Sequence, residues 1–294
     1  MTRERRIGLS CGLLSVLLFS SFTLVSRLGL TSSLQLVDLA ALRFGIGGTL
    51  LLPALLRADL RSVTWRQAGA LALFGGLGFA PLAYTGFSLA PAAHGAVLLH
   101  GTLPLFTFLL LRTTSGRVDS GPPALGIGLI AAGIALMAYD SLTVASPRQL
   151  AGDGFLLLAS LSWSSYGVLS RRLGLPAASG AAIVAVLSLC AFLPFYVLWR
   201  GKALPTSSLR ELLLQAVVQG VLIGAISIFV YTRAVAALGP QTTSLMAAAV
   251  PVITTLAAIP LLSELPSRAA LGGVGVVTAG MVAARPRGRR TAGS

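Results

Sequence analysis

Long apolar runs, separated by short clusters of charged residues, fill almost the whole chain. Of its 294 residues, 55% are hydrophobic and only 10% are charged. A run of about 20 apolar residues is what an α-helix needs to cross the hydrocarbon core of a bilayer, and a soluble domain does not repeat such runs along its whole length. The sequence therefore predicts an all-α membrane protein that crosses the lipid bilayer many times.

Ten apolar runs are predicted to be transmembrane helices. By hydropathy their bounds are 7–28, 36–56, 68–89, 92–112, 121–139, 152–171, 178–199, 210–236, 241–262 and 268–284. The first run follows three arginines, as a secretory signal does, but no small-residue cleavage site comes after it, so we interpret it as a membrane helix. The longest connection, 140–151, is polar and is predicted to be a linker between two halves.

A motif in the first helix occurs again in the middle of the chain. Phe-Ser-Ser-Phe at 19–22 and Ser-Arg-Leu-Gly-Leu at 26–30 return as Trp-Ser-Ser-Tyr at 163–166 and Ser-Arg-Arg-Leu-Gly-Leu at 170–175. A second set recurs at one constant offset: Tyr84, Pro104, Gly126, Gly128 and Gly133 return as Tyr231, Pro251, Gly273, Gly275 and Gly280. Self-similarity of this kind predicts a tandem duplication, with a first five-helix repeat at 1–143 and a second at 144–294.

The positions of Lys and Arg predict the orientation, because cytoplasmic loops retain these residues during insertion. Of the 22 Lys and Arg, Arg43 lies within a span and fifteen fall on the inside if the N-terminus is cytoplasmic. The remaining six fall outside: Arg27, Arg148, Arg200, Lys202, Arg210 and Arg268. Both termini are predicted to be cytoplasmic. Five helices per half is an odd number, so the second repeat is inverted, which is the usual build of secondary transporters with a midplane substrate site.

Several of these features together resemble a known transporter group. Leu42-Arg43-Phe44 in helix 2, the prolines of helices 4 and 9, and the glycine-rich helices 5 and 10 resemble the drug/metabolite transporter (DMT) superfamily, specifically its ten-helix EamA-type exporters. Within that group the chain is most similar to YddG-type aromatic amino acid exporters. The resemblance implies a bacterial inner-membrane carrier that exports small amphiphilic metabolites, with aromatic or hydrophobic amino acids first among them, by alternating access. Glu264 matches an acidic position common in these repeats, but its counterpart by offset is Arg117.

Aromatic and histidine side chains in the middle of the spans are candidates for substrate binding. Trp163 and Tyr166 lie in helix 6, Tyr84 and Tyr231 in helices 3 and 8, and His100 in helix 4. Tyr and Trp favour the membrane interfaces, so a mid-span position requires a polar partner or a cavity. We expect Trp163 to line the cavity, whereas Tyr84, Tyr231 and His100 serve equally well as contacts between helices. His94, near the outer end of helix 4, is expected at the interface.

Two prolines and one arginine are further candidates. Pro104 and Pro251 lie near the bilayer centre, and each removes a backbone donor from its helix. They are predicted to shape the cavity or to act as hinges, with a static packing kink as the alternative. Arg43 is the only arginine well within an apolar span. It is expected to bind a substrate carboxylate at a gate, or to cap helix ends and hold the outer bundle together.

All eight acidic residues lie at or near the ends of spans: Glu4, Asp38, Asp59, Asp119, Asp140, Asp153, Glu211 and Glu264. No midplane carboxylate is therefore evident as a proton carrier, and transport is predicted to be uncoupled from protons, or coupled through His100. A zwitterionic substrate would then be held by neutral groups, with Ser244 and Gln241 at its polar end and Trp163 at its ring or ammonium group.

Other classes of function are less compatible with the sequence. No cofactor, metal or phosphate-binding motif is present, and the arginines punctuate membrane segments instead of forming a surface for nucleic acid. A carrier for drugs or other metabolites, with proton coupling, is the main alternative, ahead of a channel or an intramembrane enzyme. The glycines of helices 5 and 10 are expected to form scaffold or dimer contacts, so the chain is predicted to be a monomer or weak homodimer.

Overall fold

The computed structural model describes residues 2–115, 124–143 and 147–284, which contain helices and no β-strand. Several helices change pitch along their length, and each is counted here as one helix. They are α1 (Arg3–Thr31), α2 (Leu36–Leu56), α3 (Trp65–Leu89), α4 (92–115), α5 (Ala124–Thr143), α6 (Pro147–Leu173), α7 (Ala177–Leu198), α8 (Leu209–Leu238), α9 (Pro240–Leu262) and α10 (Arg268–Ala283). A 3₁₀ turn, Leu204–Thr206, lies between α7 and α8.

Eight of these helices, namely α1 to α5 and α7 to α9, are long and apolar enough to cross a membrane. The helix α6 has 27 residues but carries charged residues near both ends, and α10 has only 16 residues. The predicted all-α membrane class is confirmed. The complete set of ten spans, and the side on which each end lies, stay predictions.

The predicted linker at 140–151 is wrong for most of its length. The helix α5 continues to Thr143 and α6 begins at Pro147. Within 140–151, only residues 144–146 lie outside the described residues. A proline suits the first position of a helix, where its missing N–H has no partner to lose. Asp140, which contributed to the polar character of this stretch, is buried at 4% exposure.

Side-chain caps and glycines fix where the helices begin and end. Thr2, Thr64, Ser208 and Ser267 each precede a helix, and each accepts a hydrogen bond from the backbone N–H three residues later. Such caps satisfy donors that have no partner inside the helix. Between α8 and α9, Gly239 has φ +83°, in the left-handed region that favours glycine. This residue lets α9 begin immediately after α8 ends.

Contacts between helix termini define the two ends of the bundle. At one end, Arg27 near the end of α1 pairs with Glu264 just after α9; we call this the outer end, because the charge pattern predicts that it faces outward. At the other end, called the inner end, Glu4 of α1 pairs with Arg233 of α8. Arg171 of α6 donates to the backbone oxygen of Ala236 there.

The two halves of the chain pack against each other through two equivalent sets of helix contacts. The first helix of the first half, α1, packs against α8 and α9, and α6 packs against their counterparts α3 and α4. The helices α2 and α7 contact each other, as do α5 and α10. The first helix of each half therefore lies against the other half, and the side chains of α1, α3, α4, α6 and α8 meet in the middle.

The backbone changes pitch in front of both candidate hinge prolines. In α4, a π-helical segment, Gly95–Gly101, ends just before the α-helical turn that contains Pro104. In α9, a 3₁₀ turn, Ala247–Ala249, directly precedes Val250 and Pro251. Changes of pitch interrupt the regular i to i−4 hydrogen bonds and are common where helices bend. Bending at these prolines during transport stays a prediction.

The glycines of α5 and α10 allow these two helices to approach closely. Four of them face the partner helix: Gly126, Gly133, Gly273 and Gly280. A Cβ atom at Gly280 would lie 2.8 Å from the backbone nitrogen of Ile130. Gly128 and Gly275 were expected to take part, but a Cβ atom at either position would meet nothing within 4 Å. They lie on the opposite side of their helices, so this part of the expectation is wrong.

A pair of alanine substitutions tests this contact. In Gly280→Ala the new methyl group meets backbone that cannot rotate away, and we expect a loss of stability of about 1–3 kcal/mol. Gly275→Ala, on the same helix, adds a methyl group in open space and removes a flexible glycine, so we expect no loss and a gain of up to about 1 kcal/mol. Thermal unfolding of both variants in detergent micelles measures the difference. Equal melting temperatures would contradict the proposed packing.

Candidate functional site

Aromatic side chains from five helices meet in the middle of the bundle. We call them the central cluster: Phe19 of α1, Phe79 of α3, His100 of α4, Trp163 and Tyr166 of α6, and Tyr231 of α8. Trp163 and Tyr166 lie three residues apart and so project from one face of α6. The repeated motif found in the sequence thus places one aromatic face of α1 against the corresponding face of α6.

Trp163 lies at the centre of this cluster. Its ring centroid is 4.7 Å from that of Phe79, 5.0 Å from Tyr231 and 5.2 Å from Tyr166. His100 is joined to the cluster through Phe19, on which its ring stacks at 5.1 Å. The structure therefore brings together four of the predicted substrate-binding side chains. Aromatic rings in tilted contact at these distances form a well-packed apolar surface.

Two polar atoms of the central cluster have no hydrogen-bond partner within the described residues. They are the indole nitrogen Nε1 of Trp163 and the ring nitrogen Nδ1 of His100, and both side chains are 3% exposed. An unpaired polar group away from water costs free energy, and native proteins keep few of them. Because both side chains belong to the central cluster, these unpaired nitrogens make the cluster a candidate ligand site.

Arg43 lies beside the central cluster and is 1% exposed. Its guanidinium carbon is 5.2 Å from the ring centroid of Phe79 and 5.3 Å from that of Phe22. None of its three guanidinium nitrogens has a hydrogen-bond partner at the usual distance among the described residues, although the Tyr84 hydroxyl group lies near enough to interact with its charge. The two roles expected of Arg43, binding a substrate carboxylate or capping helix ends and holding the outer bundle together, both stay predictions. The arginine is held between two aromatic faces and lies close to the Tyr84 hydroxyl group.

Tyr84 connects helices through its hydroxyl group. That hydroxyl donates to Oε1 of Gln219 at 2.9 Å, and Nε2 of Gln219 donates to Ser26 at 2.9 Å. The chain of hydrogen bonds joins α3, α8 and α1. The Tyr84 ring packs 5.7 Å from Phe22, next to Arg43. Sequence reasoning had left open a contact between helices for this residue, and the hydroxyl group makes one.

The hydroxyl group of Tyr166 is likewise engaged, at 2.6 Å from that of Thr232 on α8. Ser244 and Gln241 lie in the first turns of α9, at the inner end. The Ser244 hydroxyl donates to the backbone oxygen of Gln241 at 2.9 Å. Within the described residues, no hydrogen bond joins either side chain to the central cluster, and their role at the polar end of a substrate stays a prediction.

At the outer end, the structure buries charged residues that the sequence placed at an interface. His94 was expected to be interfacial, but it is 1% exposed. Its ring nitrogens lie 2.9 Å from Oδ1 of Asp153 and 3.0 Å from Oδ2 of Asp140. The expectation is wrong because neighbouring helix ends cover the residue. No sequence signal pointed to this grouping, since the two acids lie 46 and 59 positions from the histidine.

A second ionic contact closes the outer end. Arg27 donates from Nε to Glu264 at 2.7 Å and from Nη1 to the backbone oxygen of Phe87 at 2.7 Å. The other oxygen of Glu264 accepts from the backbone N–H of Ala92, which starts α4. Glu264 thereby joins the end of α9 to α1 and α4. Among the described residues, no group of three or more His, Cys, Asp or Glu side chains is arranged so that it could hold a metal ion.

A comparison with known proteins identifies the family. The model of the EamA-like transporter family matches residues 6–139 and again residues 150–284. No curated protein matches the chain. One solved crystal structure is similar with a TM-score of 0.67 at 22% sequence identity, over 94% of this chain and 96% of that one; identity this low shows a shared fold and no more.

The two family matches together cover most of the chain, and the family consists of membrane transporters of the drug/metabolite type, not of enzymes. A family of small-molecule transporters and the long apolar helices both indicate a multi-pass membrane protein. The chain belongs to the EamA-like transporter family.

Proposed function

We propose that the chain is a secondary carrier that exports small amphiphilic metabolites with a carboxylate group, above all aromatic or other hydrophobic amino acids. The observation that carries this proposal is the buried guanidinium group of Arg43, which has no hydrogen-bond partner among the described residues and lies beside an aromatic cluster. A charge in this position is costly unless an opposite charge joins it. A substrate carboxylate is the natural partner, since it can accept two parallel hydrogen bonds from a guanidinium fork.

The central cluster suits the remainder of such a substrate. Trp163 and Tyr231 offer ring faces for an apolar side chain, and the same faces attract an ammonium group. The unpaired Nε1 of Trp163 and Nδ1 of His100 offer further polar contacts. In this proposal Tyr84 and Tyr166 support the site, because their hydroxyl groups already join neighbouring helices.

The same arginine argues against lipophilic cations as the main cargo. A permanently positive drug would have to bind close to the positive charge of Arg43, with no acidic side chain in the central cluster to compensate. The proposal therefore favours zwitterions and anions over cationic drugs. An amino acid combines a carboxylate for Arg43 with a ring and an ammonium group for Trp163.

Transport would proceed by alternating access between two inverted repeats, 1–143 and 144–294, in a bacterial inner membrane with both termini cytoplasmic. The reciprocal packing of α1 and α6 against the opposite half supports this arrangement. Rocking of the halves, with bending near Pro104 and Pro251, would expose the central cluster to each side in turn. The YddG-type amino acid exporters remain the subgroup that this proposal favours.

Arg43→Gln tests the carboxylate contact. In counterflow into liposomes, we expect the apparent affinity for labelled phenylalanine to fall about 10-fold or more, as loss of a charged hydrogen bond predicts. Phenethylamine, which lacks the carboxylate, should compete poorly in the wild type and no worse in the variant. Arg57→Gln, at the exposed end of the same helix, is the matched control and should leave affinity unchanged. Unchanged phenylalanine affinity in Arg43→Gln would refute the contact.

Trp163→Ala tests the aromatic part of the site. Removing the central ring should abolish counterflow stimulated by preloaded phenylalanine or tryptophan, because the ring face that binds them is lost. Trp163→Phe should retain part of it. Trp65→Ala is the control, since Trp65 is 79% exposed. Wild-type counterflow with threonine alone would contradict the preference for aromatic side chains. Counterflow with no amino acid would contradict the amino acid assignment and favour another metabolite or a drug.

A further inference from the structure

Three ionisable side chains at the outer end are arranged in a row. The imidazole of His94, in the first turn of α4, lies between Asp153 of α6 and Asp140 of α5. Nδ1 is 2.9 Å from a carboxylate oxygen of Asp153, and Nε2 is 3.0 Å from one of Asp140. The histidine is 1% exposed and each aspartate 4%. The proposed function uses none of these residues.

A neutral histidine and two ionised aspartates together carry one hydrogen-bonding proton. This geometry requires two. Neutral imidazole has one N–H donor and one lone pair, and an ionised carboxylate can only accept hydrogen bonds. With both aspartates ionised and the ring neutral, one ring nitrogen would direct its lone pair at a carboxylate oxygen. Two hydrogen bonds at 2.9 and 3.0 Å therefore need a second proton, either on the ring or on one of the aspartates.

The remaining oxygens of both aspartates have their own partners. The hydroxyl group of Ser141 donates to Oδ2 of Asp153, and the hydroxyl group of Ser267 donates to Oδ1 of Asp140. The amide nitrogen of Gln149 lies 3.2 Å from the Ser141 hydroxyl oxygen and 3.4 Å from Nε2 of His94. These contacts fix the orientation of the carboxylates. Because the carboxylates cannot turn away, the hydrogen bonds of the ring itself must change when the extra proton leaves.

The other charges near this row belong to the helices packed around it. Arg27 of α1 faces the same end but is paired with Glu264, which lies between α9 and α10. Arg148 in the first turn of α6 and Arg268 at the start of α10 are the remaining charged residues at the outer ends of these helices. No Lys or Arg side chain makes an ion pair with Asp140 or Asp153 among the described residues. Histidine is therefore their charge partner.

A cavity of about 120 Å³ gives this row a route to water. Its lining includes Pro91, His94, Asp140, Gln149, Glu264 and Ser267. This volume is large enough for several water molecules, and its walls supply polar partners for them. The cavity lies at the outer end, so a proton that leaves the row exchanges with that side of the membrane.

We propose that His94, Asp140 and Asp153 form a binding site for one exchangeable proton, and that this proton holds the outer end closed. With the proton bound, the imidazole joins α4 to both α5 and α6. When the proton passes to water in the outer cavity, one of the two hydrogen bonds is replaced by a lone pair facing a carboxylate, and the helix ends separate. Because the proton enters and leaves on the same side, external pH sets how readily the carrier opens outward, without moving protons across the membrane.

The assignment of the site to the outer side rests on the proposed function, whereas the protonation of the row does not. The chain has only two histidines, so His100→Gln leaves a single imidazole. Nitrogen NMR of this variant, labelled with ¹⁵N-histidine in detergent, reports the protons on both ring nitrogens. Between about pH 5 and pH 8, where histidines commonly titrate, we expect one pH-dependent change in the His94 signals.

Asparagine substitutions identify the groups that hold the proton. An Asn side chain offers its own N–H₂ donor to the ring, so Asp140→Asn or Asp153→Asn, each combined with His100→Gln, should leave neutral imidazole satisfied and abolish the pH-dependent change. Asp59→Asn, in an exposed turn, is the control and should preserve it. His94 signals that do not change with pH, or that change identically in all variants, would overturn the proton site.

Transport then tests the role of the proton. In oriented liposomes, counterflow should slow when the outer pH is lowered, should be insensitive to inner pH, and should occur without net proton movement. His94→Gln should lose the dependence on outer pH while its apparent affinity for phenylalanine stays the same. A dependence on inner pH, or proton movement with substrate, would overturn the proposal that the bound proton holds the outer end closed. If no amino acid were transported, the proposed function would fail, but the NMR result would still decide the proton site.

Discussion

The absence of water in the hydrocarbon core of a bilayer governs most of this structure. Backbone groups there are satisfied within helices, and side-chain hydroxyls largely follow the same rule. Ser20, Thr23, Thr102 and Ser227 each donate to the backbone oxygen four residues earlier in their own helix. Because lipid gives no hydrophobic force between helices, association depends on close packing. Gly47 and Gly224 accordingly bring the backbones of α2 and α8 into contact.

Against this background, the distribution of polar contacts is uneven. The outer end is closed by Arg27 with Glu264 and by the row around His94, and Asp38 there accepts from Tyr196 and from the backbone of Ala203. Arg43, deeper in the bundle, has aromatic neighbours and no acceptor. These charged groups at the outer end thus have partners within the protein, whereas the guanidinium group of Arg43 has no hydrogen-bond acceptor among the described residues. A carrier needs this division, because its ends must open and close while its centre keeps groups that can bind a substrate.

The sequence was sufficient for the parts of the structure that depend on local patterns. Hydropathy located the helices, the motif around Phe19 and Trp163 indicated the duplication, and the position of Arg43 within an apolar run marked it as unusual. Trp163, His100 and Tyr231 were predicted to bind substrate because mid-span polar aromatics need partners, and they do lie in one cluster. What the sequence did not contain was any sign that Arg43 would lack an acceptor, since that depends on every neighbour at once.

The acidic residues show where local reasoning failed. Asp140 and Asp153 lie near helix ends, where charge is ordinarily exposed at the membrane surface, and the polar residues that follow Asp140 suggested a linker. Both are buried because three helix ends converge around His94. Partners separated by 46 and 59 positions leave no periodic trace. The same is true of Arg27 and Glu264, which are 237 positions apart.

That last separation has a consequence for how the protein is made. The helix α1 enters the membrane first, yet the helices it packs against, α8 and α9, are synthesised near the end. At about 5–20 residues per second, the charge on Arg27 would wait about 12–50 seconds for Glu264. During that interval the first half holds its charged and small-residue faces without their partners. The reciprocal packing of the two halves therefore makes assembly a late event, in which the last helices complete a site begun by the first.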